Sequence, residues 1–173
     1  MNQKEKELIL KTKLFDLHAV YGARFIEFAG YLVPLSYGTG TIKETIVSRQ
    51  STSVFDVSHM GQINIFGDSA SSEIDKLVPS NISSLGLNKS CYSVLLNSNG
   101  GIIDDLIITK KNNCLSLVVN ASQKTKVMKI LSEQLTSKLT IENLHQNSLI
   151  SVQGPKSSEV LKVYFKGIDK LKF

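Results

Sequence analysis

The sequence predicts an α+β fold, mainly an antiparallel sheet with flanking helices, and three observations carry that prediction. The centre of the chain reads as three strands, 92–96, 102–110 and 114–119, with Asn99-Gly100 between the first two. An Asn-Gly pair between apolar runs is a hairpin signal, because both residues tolerate the positive φ that tight turns demand. Residues 123–135 then place Val127, Ile130, Leu131 and Leu135 on one face at helical spacing. Finally, 173 residues with 42% hydrophobic and 20% charged content are enough to bury a core.

The remaining elements follow in chain order. Residues 14–21 carry Leu14, Leu17, Val20 and Tyr21 at helical spacing, with Gly22 as a stop. Residues 25–37 contain Gly30 and Pro34 among apolar side chains and read as extended or looped backbone on a core. A helix is predicted over 41–50, capped by Thr39 or Thr41, with Ile42, Ile46 and Arg49 on adjoining faces. Residues 62–66 alternate in the period of a half-buried strand. A helix over 70–78 follows, capped by Asp68 or Ser69, burying Ala70, Ile74, Leu77 and Val78 and stopped by Pro79. Ser122 is the expected cap of the helix over 123–135. Strands are expected near 139–143 and 149–153, and Pro155 sits in the first turn of a last helix. Two regions result: 1–50, a helical and extended segment packing on the core, and 51–173, the α+β region.

Composition narrows the function classes. The net charge of +5 rests on lysine, since Arg24 and Arg49 are the only arginines, and nucleic-acid readers lean on arginine forks and clustered basic faces. No nucleic-acid partner is expected. The charge suits solubility and a mild attraction for anionic ligands. Cys91 and Cys114 are not in a Cys-x-x-Cys spacing, and His18, His59 and His145 have no ligand-spaced neighbours, so no metal site is expected. No apolar stretch approaches membrane-spanning length and the start is polar, so the expected location is cytoplasmic with no membrane partner.

The strand at 102–110 carries the chemistry. Ile103, Asp105, Ile107 and Thr109 share one face, and Ile102, Asp104, Leu106 and Ile108 share the other. An aspartate between isoleucines on a strand buried on both sides faces a ligand cavity or is paired, because an unpaired buried charge costs several kcal/mol. Burial would also raise its pKa toward that of a proton acceptor. The plainer alternative is a carboxylate pair just past the turn that caps or solvates a wet strand end. The run from Asp56 to Gly61 reads as a ligand-facing loop, or as turn residues bonding their own backbone. Ser58-His59 is a poor nucleophile pair, since neighbours on extended chain point apart. Asn120 could read an amide-like ligand edge or start a loop, and Tyr92 could stack on a flat ring or belong to the core.

Several of these segments together resemble a known family. Leu14-Phe15-Asp16-Leu17-His18, Phe28-Ala29-Gly30-Tyr31, Val54 through Gln62, Tyr92-Ser93-Val94, Gly100 through Leu106, Val118-Val119-Asn120-Ala121 and Gln153-Gly154-Pro155 resemble, in order and spacing, the N-terminal part of glycine-cleavage aminomethyltransferases, the T-proteins. The resemblance implies the folate-binding region of that fold, incomplete at its C-terminus, and a tetrahydrofolate enzyme. Its reaction passes the methylene carbon from the aminomethyl-lipoyl arm of the H-protein to tetrahydrofolate, releasing ammonia. By position, Asp105 matches the family's catalytic aspartate, and Met60, Tyr92, Asp105, Ile107 and Asn120 match positions lining the folate pocket. Asp104 would point the other way. The location becomes cytoplasmic, or the mitochondrial matrix in a eukaryote.

This sequence has Tyr31 where the family favours tryptophan, Thr45 where it favours histidine and Lys13 where it favours proline. Family members also continue beyond the length seen here into domains that supply a glutamate and arginines, so a fragment or one half of a split enzyme is expected. The alternatives are a folate-binding helper of iron-sulfur cluster maintenance and an inactive fragment of the T-protein.

Overall fold

The computed structural model describes residues 9–171. The backbone divides into two units, one formed by residues 60–147 and the other by the segments before and after it.

The continuous unit is built on a five-stranded antiparallel sheet. Its strands are β5 (Gly61–Phe66), β6 (Ser90–Leu96), β7 (Ile102–Lys110), β8 (Cys114–Val119) and β9 (Thr140–Asn143), ordered β6-β7-β8-β5-β9. Alternation decides what each face does. Ile63, Ile65, Leu95, Leu106, Ile108, Leu115, Leu117 and Val119 point to one side, where they meet Ala70 and Ile74 of α3 (Ala70–Ile74) and Val127 and Leu131 of α4 (Lys124–Gln134). The opposite face carries Gln62, Asn64, Tyr92, Asp105, Ile107 and Val118, all exposed or half-buried. The three central strands, the strand at 62–66 and the helix at 123–135 are as the periodicity predicts. The strand at 102–110 is not buried on both sides: its Asp104 face is buried and its Asp105 face is open. A single layer of helices is available to this sheet, and it covers one face.

Local details differ where side chains compete with the pattern. The connection between β6 and β7 is not a two-residue turn with two positive φ values, since Gly100 alone of the Asn-Gly pair has one (φ 77). The Asn97 side chain accepts the N–H groups of Asn99 (2.9 Å) and Gly101 (2.8 Å), and this Asx-type clamp shapes the longer loop 97–101. Beyond it, Leu96 pairs with Ile102 but Leu95 with Asp104, so Ile103 is the extra residue of a β-bulge. Helix α3 stops at Ile74, four residues early. The Asp75 carboxylate turns to the N–H groups of Ile82 (2.5 Å) and Ser83 (3.2 Å) and organises the next loop instead. None of the expected caps on α3, α4 or the earlier helix α2 (Thr41–Gln50) makes a side-chain cap bond. Gly61 is fixed by close approach: a Cβ there would lie 2.6 Å from a Val119 methyl and 2.8 Å from Lys124 Cβ.

The discontinuous unit has two small sheets. β2 (Arg24–Phe28) and β3 (Tyr31–Ser36) form a hairpin, with β1 (Leu10–Lys11) parallel to β3. Ala29 (φ 50) and Gly30 (φ 78) make the turn. Pro34 is accommodated in the middle strand because β1 reaches only as far as Leu32 and a bulge opens the other side. β4 (Ser53–Asp56) pairs with β10 (Ile150–Gln153), which brings the two ends of the unit together. Around them lie α1 (Phe15–Val20), α2 (Thr41–Gln50) and α5 (Ser157–Lys162). α2 buries no residue: Glu44 reaches back to accept the Tyr37 N–H (2.7 Å) and the Thr39 hydroxyl (3.2 Å), while Ile42 is exposed. Pro155 precedes α5 rather than entering its first turn.

Candidate functional site

The open face of the larger sheet gathers polar and apolar side chains in rows set by register. Tyr92 pairs with Ile107, Ile107 with Val118 and Val118 with Gln62. One row along, Val94 pairs with Asp105. Asn120 continues that row one residue past β8, and Met60 precedes β5 at its far end. Register therefore brings Asp105, Tyr92, Ile107 and Asn120 together, with half-buried Met60 at the margin.

Asp105 is held on both carboxylate oxygens. The Tyr92 hydroxyl donates to Oδ2 (3.1 Å), and Asn120 Nδ2 donates to Oδ1 (2.9 Å). Tyr92 is 68% exposed and Ile107 45%, so a broad apolar surface flanks a fixed carboxylate. The hydrogen bond to Asp105 and its negative charge, with small contributions from desolvation and Asp104, push the Tyr92 phenol above its ordinary 10.0. Tyr92 is thereby kept as a neutral donor. Asp105 itself is exposed rather than buried between the two faces of the strand. Its neighbour Asp104 is the buried one, 7% exposed, and Asn120 satisfies it with its backbone N–H on Oδ2 (3.2 Å) and Nδ2 on Oδ1 (2.8 Å).

A second polar cluster lies in the discontinuous unit, and pattern reading of the sequence missed it. Tyr37 donates its hydroxyl to His18 Nδ1 (2.7 Å), and His18 Nε2 donates to Asp56 Oδ2 (3.0 Å). Since a carboxylate only accepts, Nε2 carries a proton, and in the neutral ring Nδ1 is the acceptor. Thr12 donates to the same oxygen (2.6 Å), and the Ser58 N–H to Oδ1 (2.9 Å). The Asp56 side chain is 1% exposed. Burial works to raise its pKa, but the hydrogen bonds from Ser58, Thr12 and His18 outweigh it and hold the carboxyl below its ordinary range. His18 and Asp56 stand 38 residues apart, a separation that no local periodicity registers.

The run after Asp56 is occupied by its own fold. Ser58 Oγ accepts the Leu149 N–H (2.9 Å), and the His59 ring packs edge-on to Phe28 at 5.7 Å. Ser58-His59 is therefore no nucleophile pair. A groove of about 430 Å³ in this unit, lined by Leu35, Tyr37, Glu44, Val47, Phe55 and Asp56 among others, does not include Asp105. We place the candidate site on the open sheet face rather than in that groove, because the face holds a carboxylate fixed at both oxygens and accessible to a ligand. Among the described residues no cluster of His, Cys, Asp and Glu could hold a metal ion, and no helix is long and apolar enough to cross a membrane.

Residues 14–173 match the family model described as the GCVT N-terminal domain. The chain belongs to this family. Among curated relatives, the aminomethyltransferase of Thermotoga maritima is 41% identical over 155 residues, covering 88% of this chain and 42% of that protein. The mitochondrial aminomethyltransferase of Dictyostelium discoideum is 34% identical over 167 residues, 92% of this chain and 41% of its own length. The crystal structure of glycine cleavage system aminomethyltransferase T from Bartonella henselae superposes with a TM-score of 0.85 at 33% identity, over 90% of this chain and 43% of that one. The α+β fold and the resemblance carried by the sequence blocks are both borne out. This GCVT N-terminal domain spans less than half the length of the relatives it matches.

Proposed function

We propose that this chain supplies the folate-facing half of a T-protein-type aminomethyltransferase. In this reading the open sheet face takes the pterin of tetrahydrofolate. Tyr92, Ile107 and Met60 offer it apolar surface, Asn120 borders it, and Asp105 is the catalytic carboxylate. The partner is the H-protein, whose lipoyl arm carries the aminomethyl group on sulfur. The methylene carbon passes to the two folate nitrogens, giving 5,10-methylenetetrahydrofolate, ammonia and the dihydrolipoyl arm. Asp105 orients the reacting nitrogens and takes up the proton that one of them loses. The observation that carries this reading is the placement of Asp105: an exposed carboxylate fixed at both oxygens, beside the exposed Tyr92 ring and Ile107.

A flat face binds a ring system tightly only when covered, since enclosed sites bury most of a ligand's surface. We assign that cover to the remaining part of a T-protein-type polypeptide, which would also supply contacts to the pterin and glutamate tail. The 173-residue chain alone is then expected to bind tetrahydrofolate weakly. Joined to that remaining part, the Asp105→Asn variant is expected to lose ammonia release from aminomethylated H-protein while retaining most of its folate affinity. Full turnover in that variant would remove Asp105 from the chemistry.

A further inference from the structure

Asp104 and Asp105 leave β7 on opposite faces, yet one side chain holds both. Asn120 Nδ2 lies 2.8 Å from Asp104 Oδ1 and 2.9 Å from Asp105 Oδ1, with the Asp105 carbonyl oxygen at 3.3 Å. A primary amide has two hydrogens, so both are committed to these aspartates. The amide could still rotate about its own side-chain torsions, but Asp104 removes that freedom. Its second oxygen accepts the Asn120 backbone N–H at 3.2 Å, so backbone and side chain of Asn120 are gripped by one buried carboxylate. Without these bonds Asp104 would be a buried charge lacking a partner, which costs several kcal/mol. Its position is therefore tightly determined, and through Asn120 so is that of Asp105.

We infer that Asp104 is a positioning residue: buried behind the sheet, it locks the Asn120 amide, and the locked amide holds the Asp105 carboxylate in the place where it meets substrate. The function of this relay rests on the folate reading above; its geometry does not. Asn120 also acquires a different role from the one its sequence position implies, because its amide hydrogens face the protein's own carboxylates and its contribution to ligand binding is indirect.

Two measurements on the chain as it stands test the relay without reference to folate. The first is the side-chain amide signal of Asn120 in nitrogen-resolved spectra. Asp104→Ala and Asp104→Asn should both shift it and speed its proton exchange, because neither offers two acceptors to Asn120. The second is ionisation of Tyr92, read as phenolate absorbance against a Tyr92→Phe control. Asn120→Ala leaves both carboxylates in place but frees Asp105, so Tyr92 should ionise at lower pH. Asp104→Ala also removes a charge that itself helps to raise the Tyr92 phenol, so the deciding comparison is made in the Asn120→Ala background. There, loss of Asp104 should lower the pH at which Tyr92 ionises by less than it does in the parent chain. Thermal melts of each variant establish that the fold is retained. Should a variant not fold, Asp104→Asn, which keeps the shape of the side chain, is the deciding substitution.

Joined to the remaining part of the enzyme, Asp104→Asn should lower kcat by about 10²-fold, the scale of a small misplacement of a catalytic group, with KM for tetrahydrofolate little changed. An Asn120 signal unmoved by loss of Asp104, or a Tyr92 shift on loss of Asp104 that is the same with and without the Asn120 amide, would overturn the relay. A relay confirmed spectroscopically in a chain whose complete form neither binds nor uses tetrahydrofolate would overturn the folate reading alone.

Discussion

Two carboxylates next to each other in sequence, Asp104 and Asp105, end in opposite environments because strand side chains alternate. Alternation was legible in the sequence, and it put Asp105 with Ile107; the expected match with Ile103 fails, because the bulge at Ile103 breaks the alternation and turns that side chain against the core. Which face would be buried was not legible, since isoleucine and leucine flank the pair on both sides. The raised Tyr92 phenol gives a residue-scale prediction. Asp105→Asn removes the adjacent charge and replaces the carboxylate acceptor by a weaker amide oxygen, so one tyrosine should ionise at lower pH than in the parent chain. The difference should vanish in a Tyr92→Phe background. Asp56 gives a second. Its folded-state pKa lies below the unfolded one, so its stabilising contribution is complete above the unfolded value near 3.8 and fades as pH falls through the lower folded value. In Asp56→Asn, urea unfolding near neutral pH should show a loss of about 1–3 kcal/mol, the cost of disturbing a buried, multiply bonded group. The gap to the parent should close on acidification. A gap independent of pH would mean that the charge is not what Thr12, His18 and Ser58 stabilise.

At the scale of the element, strands were easier to read than their connections. β5 to β8 follow from period-two patterns, whereas the Ala29-Gly30 turn gave no signal because alanine is rarely found at positive φ. β4 (Ser53–Asp56) escaped notice since its apolar run is only Val54-Phe55, between polar Ser53 and Asp56. The loop 97–101 was recognised as a turn but mistaken in type. Its shape comes from the Asn97 side chain, and Asn97→Ala should cost about 1 kcal/mol and broaden the amide signals of the β6–β7 hairpin. Gly61 is an element-scale constraint of another kind. Gly61→Ala forces a methyl against Val119 and Lys124 at under 3 Å, and overpacking of this sort costs about 1–3 kcal/mol by thermal or urea unfolding. A neutral substitution there would show that β8 and α4 can move apart.

Across the whole molecule, packing is unevenly distributed. The continuous unit holds a contiguous core in which Ile65, Ile108, Leu117 and Val119 are fully buried, whereas α2 of the other unit buries nothing. Amide exchange should therefore be slowest in β5, β7 and β8 and fast in α2, and protection in α2 equal to that of β8 would contradict this ordering. Leu117→Ala should cost about 2–5 kcal/mol, as deletions in well-packed cores do. By itself the sequence determined the fold class, the central strands, the core-facing helix 123–135 and the family, because periodicity and ordered blocks are local properties of the chain. Only the tertiary structure decided that Asp105 stands on an open face with its oxygens tied to Tyr92 and Asn120, that Asp104 is the buried anchor, and that His18, Tyr37 and Asp56 meet. Those are contacts between residues distant in sequence, and register and burial, rather than local pattern, bring them together.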